Sequence, residues 1–194
     1  MEKLSYVKLN KYYGDDIYEA LVTFLAMGLN IDENIGKLME FLDVEGLLDN
    51  TIVVFFTDNG SSFGRHYYNA GMKGGKQQLF EGGHRVPLFV SGSNKIIGIP
   101  KEVDELCHVQ DLLPTLAAAI GVEELPHKMD GVDLLPLMQG QVDKLDDRML
   151  VVNFTKTGNK VHFPDQDNPN NAAKPKKDRG AVLWKDWRYL NDKA

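Results

Sequence analysis

The 194-residue sequence predicts an α/β fold, and two consecutive patterns carry that prediction. Apolar residues recur at helical spacing between residues 17 and 42, which indicates an amphipathic helix. A continuous apolar run rich in β-branched and aromatic residues follows at 52–56, as expected of a strand that is covered on both faces of a sheet. A helix that leads into a buried strand is typical of α/β architectures.

The predicted helix has one apolar stripe, which we assign to the protein core and to no function. Gly46 is placed to end the helix, because glycine adopts the left-handed conformation of a C-terminal cap without a steric penalty. The stripe consists of Ile17, Leu21, Phe24, Gly28, Ile31, Ile35, Leu38 and Leu42.

A long segment without periodicity separates the strand from a second, short strand predicted at 86–90. Loops of that length are uncommon in compact domains unless they are functional.

Further along, residues 110–120 predict a helix with Asp111 in its first turn, and Gly121 ends it. Residues 159–179 are polar and contain prolines, so they predict an exposed loop or hairpin.

Polar groups cluster where the first strand ends, in the turn Asp58-Asn59-Gly60. A carboxylate beside an amide carbonyl offers two hard oxygen donors, which Ca²⁺ or Mg²⁺ prefers, and no soft ligand for zinc. Both side chains can serve one ion only if the chain leaves strand geometry, and Gly60 permits that. Because Asp-Asn-Gly is also a common turn, a purely structural role stays open.

A lysine preceded by two glycines follows in the same loop. Gly74 and Gly75 allow the backbone to approach a ligand closely, and the compact ammonium of Lys76 suits a tetrahedral anion. Gln77 stands where a phosphate-binding P-loop has serine or threonine, so nucleotide binding is disfavoured. The alternative is a solvated loop lysine.

Three motifs occur in order here, namely Asp58-Asn59-Gly60, Met72-Lys73-Gly74-Gly75-Lys76 and Glu81-Gly82-Gly83-His84-Arg85-Val86-Pro87. Together they resemble the C-terminal half of the sulfatase core, within the alkaline-phosphatase-like superfamily. Residues 181–184 and 187–190 resemble paired strands of the family's small C-terminal sheet. The resemblance implies a partial alkaline-phosphatase-like sheet with flanking helices. It places residues 1–145 in the catalytic core and residues 146–194 in a small antiparallel subdomain.

The resemblance also implies roles for individual residues. Asp58 and Asn59 match the second pair of calcium ligands, and Lys76 matches the lysine that contacts the substrate sulfate. The family's nucleophile is a formylglycine made from cysteine or serine in Cys/Ser-x-Pro/Ser-x-Arg, and it lies in the N-terminal half. That motif is absent, and the only cysteine, Cys107, does not match it. We therefore interpret the chain as a fragment whose formylglycine and first metal ligands belong to a missing N-terminal half.

Other polar residues of the loop have less specific patterns. His66 lies between the metal turn and Lys76 and could donate to a sulfate or leaving-group oxygen, although an ordinary loop histidine is an equal alternative. Arg65 could bind an anionic sugar. We expect His84 to be structural and Arg85 to pair with a carboxylate such as Glu81.

The composition excludes some partners. A net charge of −6 argues against nonspecific binding of nucleic acid, and no apolar stretch is long enough to span a bilayer. A single cysteine excludes an internal disulfide. The sequence indicates neither oligomeric state nor localisation, while the resemblance implies a parent enzyme exported to the periplasm, a lysosome or the exterior.

The sequence-based prediction is thus a sulfatase fragment that acts on aryl or carbohydrate sulfate esters, with Ca²⁺ favoured over Mg²⁺. Its expected partner is a sulfated small molecule or glycan. Two alternatives stay open. A phosphoesterase or phosphonate hydrolase of the same superfamily would commonly have Asp-His in place of Asp58-Asn59, and a truncated sulfatase domain would be noncatalytic.

Overall fold

A long helix followed by two small antiparallel sheets dominates the computed structural model, which describes residues 17–122, 124–125, 127–152 and 179–192. The helices are α1 (Ile17–Val44), α2 (Gly64–Tyr67), α3 (Glu81–His84), α4 (Asn94–Ile97), α5 (Leu112–Ala119) and α6 (Leu135–Met138), with 3₁₀ turns at Leu48–Asn50 and Val109–Asp111. The strands are β1 (Val53–Phe56), β2 (Leu88–Ser91), β3 (Met149–Val152), β4 (Arg179–Trp184) and β5 (Trp187–Asp192).

The sheets confirm the predicted α/β class and its small C-terminal sheet. Strand β1 pairs antiparallel with β2, with Val54 opposite Val90. Strands β3, β4 and β5 form an antiparallel sheet in chain order, with Ala181 of β4 between Val152 and Leu190. The division of the chain at residue 145 stays a prediction.

Helix α1 ends as the sequence predicts. Gly46 adopts a φ of 67°, which a residue with a side chain rarely adopts. Its N–H donates to Asp43 O at 3.0 Å, and Leu47 N–H donates to Leu42 O at 2.8 Å. This pair of bonds is a Schellman cap and satisfies carbonyls that the helix leaves without partners.

The prediction that the α1 stripe is core is wrong for Ile31 and Leu38. Ile17 and Leu42 are 5% and 8% exposed, whereas Ile31 and Leu38 are 52% and 47% exposed. The periodic pattern makes the helix amphipathic, but burial needs a partner, and the described part of the chain leaves Ile31 and Leu38 exposed while Ile35 between them is half-buried. Phe24 has such a partner in Phe63, through a tilted ring contact at 5.3 Å.

The prediction that the first strand is covered on both faces is also wrong for the described residues. Phe55 and Phe56, which are successive residues of β1 and so point to opposite faces, are 37% and 42% exposed, so neither face is fully covered by the described part of the chain. Strand β2 begins at Leu88 instead of residue 86, since Pro87 has no N–H for the ladder.

Other predicted boundaries agree with the structure. A 3₁₀ turn leads into α5, and Gly121 follows the helix at a φ of 78°. The long loop after β1 contains the four-residue helices α2 and α3, which are too short to produce a periodic pattern. Of the loop predicted at 159–179, residues 159–178 lie outside the described residues, and Arg179 begins β4.

A small apolar cluster joins this long loop to the C-terminal sheet. Leu79, from the loop, is 3% exposed and packs with Ala181 and Leu183 of β4. Four partly buried side chains surround them, namely Leu106, Leu150, Val152 and Leu190. Burial of these side chains stabilises the loop against the sheet.

Among the described residues, no helix has the length and apolarity needed to cross a membrane.

Candidate active site

The turn after β1 packs backbone against backbone on helix α3. Gly60 N–H donates to Gly83 O at 3.0 Å, and a Cβ on Gly60 would overlap the carbonyl oxygen of Gly82. Only glycine fits this position without displacing α3. The preceding residues Asp58 and Asn59 are exposed and half-buried, respectively. Among the described residues, Asp58 forms no ion pair, so its carboxylate is held on a fixed turn and faces solvent.

The segment that carries Lys76 lies against the same turn. Lys76 N–H donates to Ser61 O at 3.3 Å, and a Cβ on Gly75 would lie 2.7 Å from that oxygen. The Lys76 side chain is exposed. Gln77, the next residue, has a φ of 69°, a strained conformation for a residue with a side chain. The backbone of Lys76, the predicted sulfate ligand, is thus hydrogen-bonded to Ser61, which lies two residues after Asn59 of the predicted metal pair.

Glycines of helix α3 complete this arrangement. Gly82 N–H donates to Lys73 O at 2.9 Å, and a Cβ on Gly83 would lie 2.7 Å from Gly75 O. The sequence predicts that Gly75 allows close approach of a ligand, whereas in the structure it allows close approach of the loop's own backbone. The physical requirement is the same, a missing Cβ, so sequence alone could not distinguish the two uses.

Asn69 was not singled out by the sequence. Its Nδ2 donates to Met72 O at 2.6 Å and to Gly74 O at 2.9 Å, so one side-chain amide holds the turn that precedes the lysine segment. Asparagine is common in turns of this kind, but nothing local identified its two acceptors.

Arg65 and His66 lie in helix α2, between the metal turn and Lys76. Arg65 Nε donates to His66 Nε2 at 3.3 Å, and Arg65 Nη1 donates to Gln78 Oε1 at 3.0 Å. Arg65 therefore bridges α2 to the segment after Lys76. A role for Arg65 in binding an anionic sugar stays a prediction, and so does the role of His66 at the leaving group.

Glu81 has the expected partner and a second one. Arg85 Nη1 lies 3.3 Å from Glu81 Oε2, as predicted, and Arg188 Nε donates to Oε1 at 2.6 Å. Burial on its own would raise the pKa of Glu81, but the hydrogen bond and charge of Arg188, followed by those of Arg85, lower it below its ordinary value. The contact with Arg188 spans 107 residues of sequence, so no local pattern indicated it.

His84 lies beside this pair. Both of its ring nitrogens are buried without a hydrogen-bond partner among the described residues. Burial lowers the pKa of His84, Glu81 acts in the opposite direction, and Arg188 lowers the pKa further. A neutral imidazole is thus favoured, and the structural role expected for His84 stays a prediction.

Cys107 and Asp111 form a separate polar centre. Burial and the charge of Asp111 raise the pKa of the Cys107 thiol, which disfavours the reactive thiolate. Asp111 is fully buried and receives hydrogen bonds from Arg148 Nη1 at 2.8 Å and Nη2 at 2.6 Å. The N–H groups of His108 and Val132 also donate to this carboxylate.

The donor chemistry of the turn fits part of a calcium shell. Asp58 and Asn59 offer a carboxylate and an amide oxygen, the hard ligands that Ca²⁺ prefers, whereas a full shell needs six to eight oxygens. Within the described ranges, no group of three or more His, Cys, Asp or Glu side chains could hold a metal ion. Asp58 and Asn59 would therefore share the ion with ligands from elsewhere, and their metal role stays a prediction.

Comparisons with known proteins agree on one family. The Sulfatase family model matches residues 7–122. The chain is 39% identical to arylsulfatase A of Bos taurus over 116 residues, which covers 58% of this chain and 22% of that protein. It is 32% identical to N-acetylglucosamine-6-O-sulfatase of Bacteroides thetaiotaomicron over 118 residues, covering 61% of this chain and 20% of that protein. The chain thus spans about one fifth of these relatives.

A solved structure supports the fold. The crystal structure of Ps i-CgsB in complex with k-i-k-neocarrahexaose superposes with a TM-score of 0.60 at 23% identity, covering 84% of this chain and 32% of that one. Structural neighbours of this kind have the alkaline-phosphatase-like fold, so the predicted architecture is confirmed. Because the family model matches more than half of the sequence, this chain belongs to the sulfatase family of sulfuric ester hydrolases.

Proposed function

We propose that this chain supplies the metal-binding and sulfate-binding part of an active site that hydrolyses sulfate esters. Asp58 and Asn59 bind calcium, and Lys76 binds the sulfate. One observation carries the proposal. The loop backbone ties the lysine segment to the aspartate turn, through Lys76 N–H to Ser61 O at 3.3 Å, while both charged side chains stay exposed.

In the proposed site, two cationic groups would stabilise the negative charge of the sulfate. A sulfate ester is already an anion, so a protein accelerates its hydrolysis chiefly through cationic groups placed where charge develops. The Lys76 ammonium would contact a nonbridging oxygen of the sulfate. Calcium bound by Asp58 and Asn59 would add positive charge at the same group. The nucleophile, a formylglycine in the family, would come from a segment outside these 194 residues.

His66 is the candidate for the leaving-group side. Its Nε2 accepts a hydrogen bond from Arg65 Nε at 3.3 Å, and this contact helps to fix the orientation of the ring, in the way that hydrogen-bond partners commonly orient functional histidines.

The substrate class follows from what the named relatives share. One relative is named for aryl sulfates and another for a 6-O-sulfated sugar, and the common group is a sulfate ester. We propose a sulfated small molecule or a sulfated glycan as the substrate, and an exported parent enzyme. Calcium is preferred over magnesium because Ca²⁺ accepts irregular shells of protein oxygens.

The first test uses the 194-residue chain itself. Since the sequence has no nucleophile motif, we expect no hydrolysis of 4-nitrophenyl sulfate, with or without added Ca²⁺. Metal-dependent turnover that Asp58→Ala removes would refute the fragment interpretation.

The second test uses a full-length enzyme that contains this segment, assayed on 4-nitrophenyl sulfate and on 4-nitrophenyl phosphate. We expect calcium-dependent activity with a preference for the sulfate. A preference for the phosphate would favour the phosphoesterase alternative. A folded enzyme with no activity on either substrate would favour the alternative of a noncatalytic sulfatase domain.

A further inference from the structure

We propose that Arg188, on the C-terminal sheet, is a positioning residue for the candidate active site and acts through Glu81. The inference rests on the proposed function, because it concerns how the loop that carries Lys76 is held. Arg188 Nε donates to Glu81 Oε1 at 2.6 Å, which joins β5 directly to the first residue of α3.

Backbone carbonyl groups fix the orientation of the Arg188 guanidinium independently of Glu81. Its Nη1 donates to Lys185 O at 2.6 Å and to Trp187 O at 2.9 Å, both at the turn between β4 and β5. The side chains of Arg188 and Glu81 are 26% and 27% exposed, so water screens the pair less than it screens a surface ion pair. A charge-assisted bond between two partly buried, preorganised groups is among the stronger hydrogen bonds of a protein.

Helix α3 transmits this contact to both functional segments. Gly82 N–H donates to Lys73 O at 2.9 Å, and Gly83 O accepts from Gly60 N–H at 3.0 Å. The glycines pack so closely that a Cβ on Gly82 would lie 2.5 Å from Gly74 O. Because no slack exists between these backbones, a shift of α3 moves the metal turn and the lysine segment together.

The ion pair adds a polar contact beside the apolar packing of the loop on the sheet. Leu79 is buried against Ala181 and Leu183 of β4. Next to this cluster, the side chains of Glu81 and Arg188 line a cavity of about 370 Å³ to which both the loop and the sheet contribute residues, and there they join α3 to β5.

Native-state hydrogen exchange of the 194-residue chain, followed by NMR, tests the inference. The amides of Gly60 and Gly82 report on the two bonds that connect α3 to the functional segments. In Arg188→Ala we expect their exchange to accelerate on the order of 10-fold, as for loss of one charge-assisted hydrogen bond. The amides of α5 should be unchanged. Arg188→Lys should restore part of the protection, since an ammonium can still pair with Glu81 but lacks the planar fork.

Matched variants separate positioning from general destabilisation. Arg85→Ala removes another cation from the same carboxylate. The Arg85 side chain is 64% exposed, and its Nη1 lies 3.3 Å from Glu81 Oε2, so we expect little change in the exchange of the Gly60 and Gly82 amides. Adding Glu81→Gln to Arg188→Ala should accelerate exchange almost no further, because both changes remove the same Arg188–Glu81 interaction. Unchanged exchange at Gly60 and Gly82, or an equal acceleration in α5, would overturn the inference. The measurement needs neither metal nor turnover, so its outcome is independent of the proposed sulfatase activity.

Discussion

Two aspartates in this chain have opposite surroundings. Asp111 is fully buried and accepts four hydrogen bonds, two of them from Arg148. Asp58 is exposed and, within the described part of the chain, forms no ion pair. Yet both lie on fixed backbone, since a 3₁₀ turn holds Asp111 and the packed Gly60 holds the turn of Asp58.

The difference separates a carboxylate that serves the fold from one whose oxygens stay open to a ligand. The partners of Asp111 use its acceptor capacity, so it has none left for a ligand and instead ties the start of α5 to Arg148. Asp58 is exposed, and the bonds that hold its turn are made by Gly60 and Ser61 instead of by its carboxylate. A rigid turn with an unused carboxylate is what a metal site requires before the metal binds.

The largest expected effect is on catalysis. In a full-length enzyme that contains this segment, Asp58→Ala should lower kcat/KM roughly 10³-fold or more, since it removes a charged ligand of the ion that stabilises the transition state. Calcium affinity, measured by isothermal titration, should fall as well, whereas Asn59→Asp should retain calcium. Asp104→Ala, at another exposed aspartate, is the control. Normal kinetics and calcium affinity in Asp58→Ala would make the turn merely structural.

The next effect is on stability. Asp111→Ala leaves the mostly buried guanidinium of Arg148 without its counterion and should lower the free energy of unfolding by about 3–5 kcal/mol. Urea denaturation of the 194-residue chain measures this, with Asp104→Ala expected to stay within about 0.5 kcal/mol of wild type. Equal stability of the two variants would contradict the structural role of Asp111.

A smaller effect is expected for Lys76. Among the described residues its ammonium forms no ion pair, so Lys76→Ala should leave Tm nearly unchanged. In the full-length enzyme it should lower kcat/KM on the order of 10²-fold, as for loss of another preorganised group that stabilises charge. Lys76→Arg should recover part of that loss. A large decrease in Tm with near-normal kinetics would assign Lys76 to the fold.

The smallest expected effect is the acid dependence of stability. Burial on its own would raise the pKa of Asp111, but its bonds from Arg148, Val132 and His108 lower it below its ordinary value. A lowered folded-state pKa stabilises the protein above the unfolded value of about 3.9, and this contribution is lost as pH falls through the folded pKa. Between pH 5 and pH 3, Asp111→Asn should therefore lose less stability than wild type. Parallel pH profiles would contradict this assignment.

The sequence by itself determined the elements that depend on local chemistry. The α1 periodicity, the Gly46 cap, the apolar β1 run and the α5 boundary at Gly121 all follow from neighbouring residues, and each is found in the structure. The order of the three motifs also sufficed for the family, because the residue types of a turn are constrained by backbone conformation.

Tertiary structure alone decided burial and long-range pairing. The exposed Ile31 and Leu38 of α1 show that an amphipathic pattern predicts which face can be buried, whereas actual burial depends on a partner elsewhere in the chain. The use of Gly75 against its own loop and the contact of Glu81 with Arg188 depend on segments up to 107 residues apart. Such contacts leave no local pattern, because they arise only when the chain has brought distant backbone and side chains within hydrogen-bond distance.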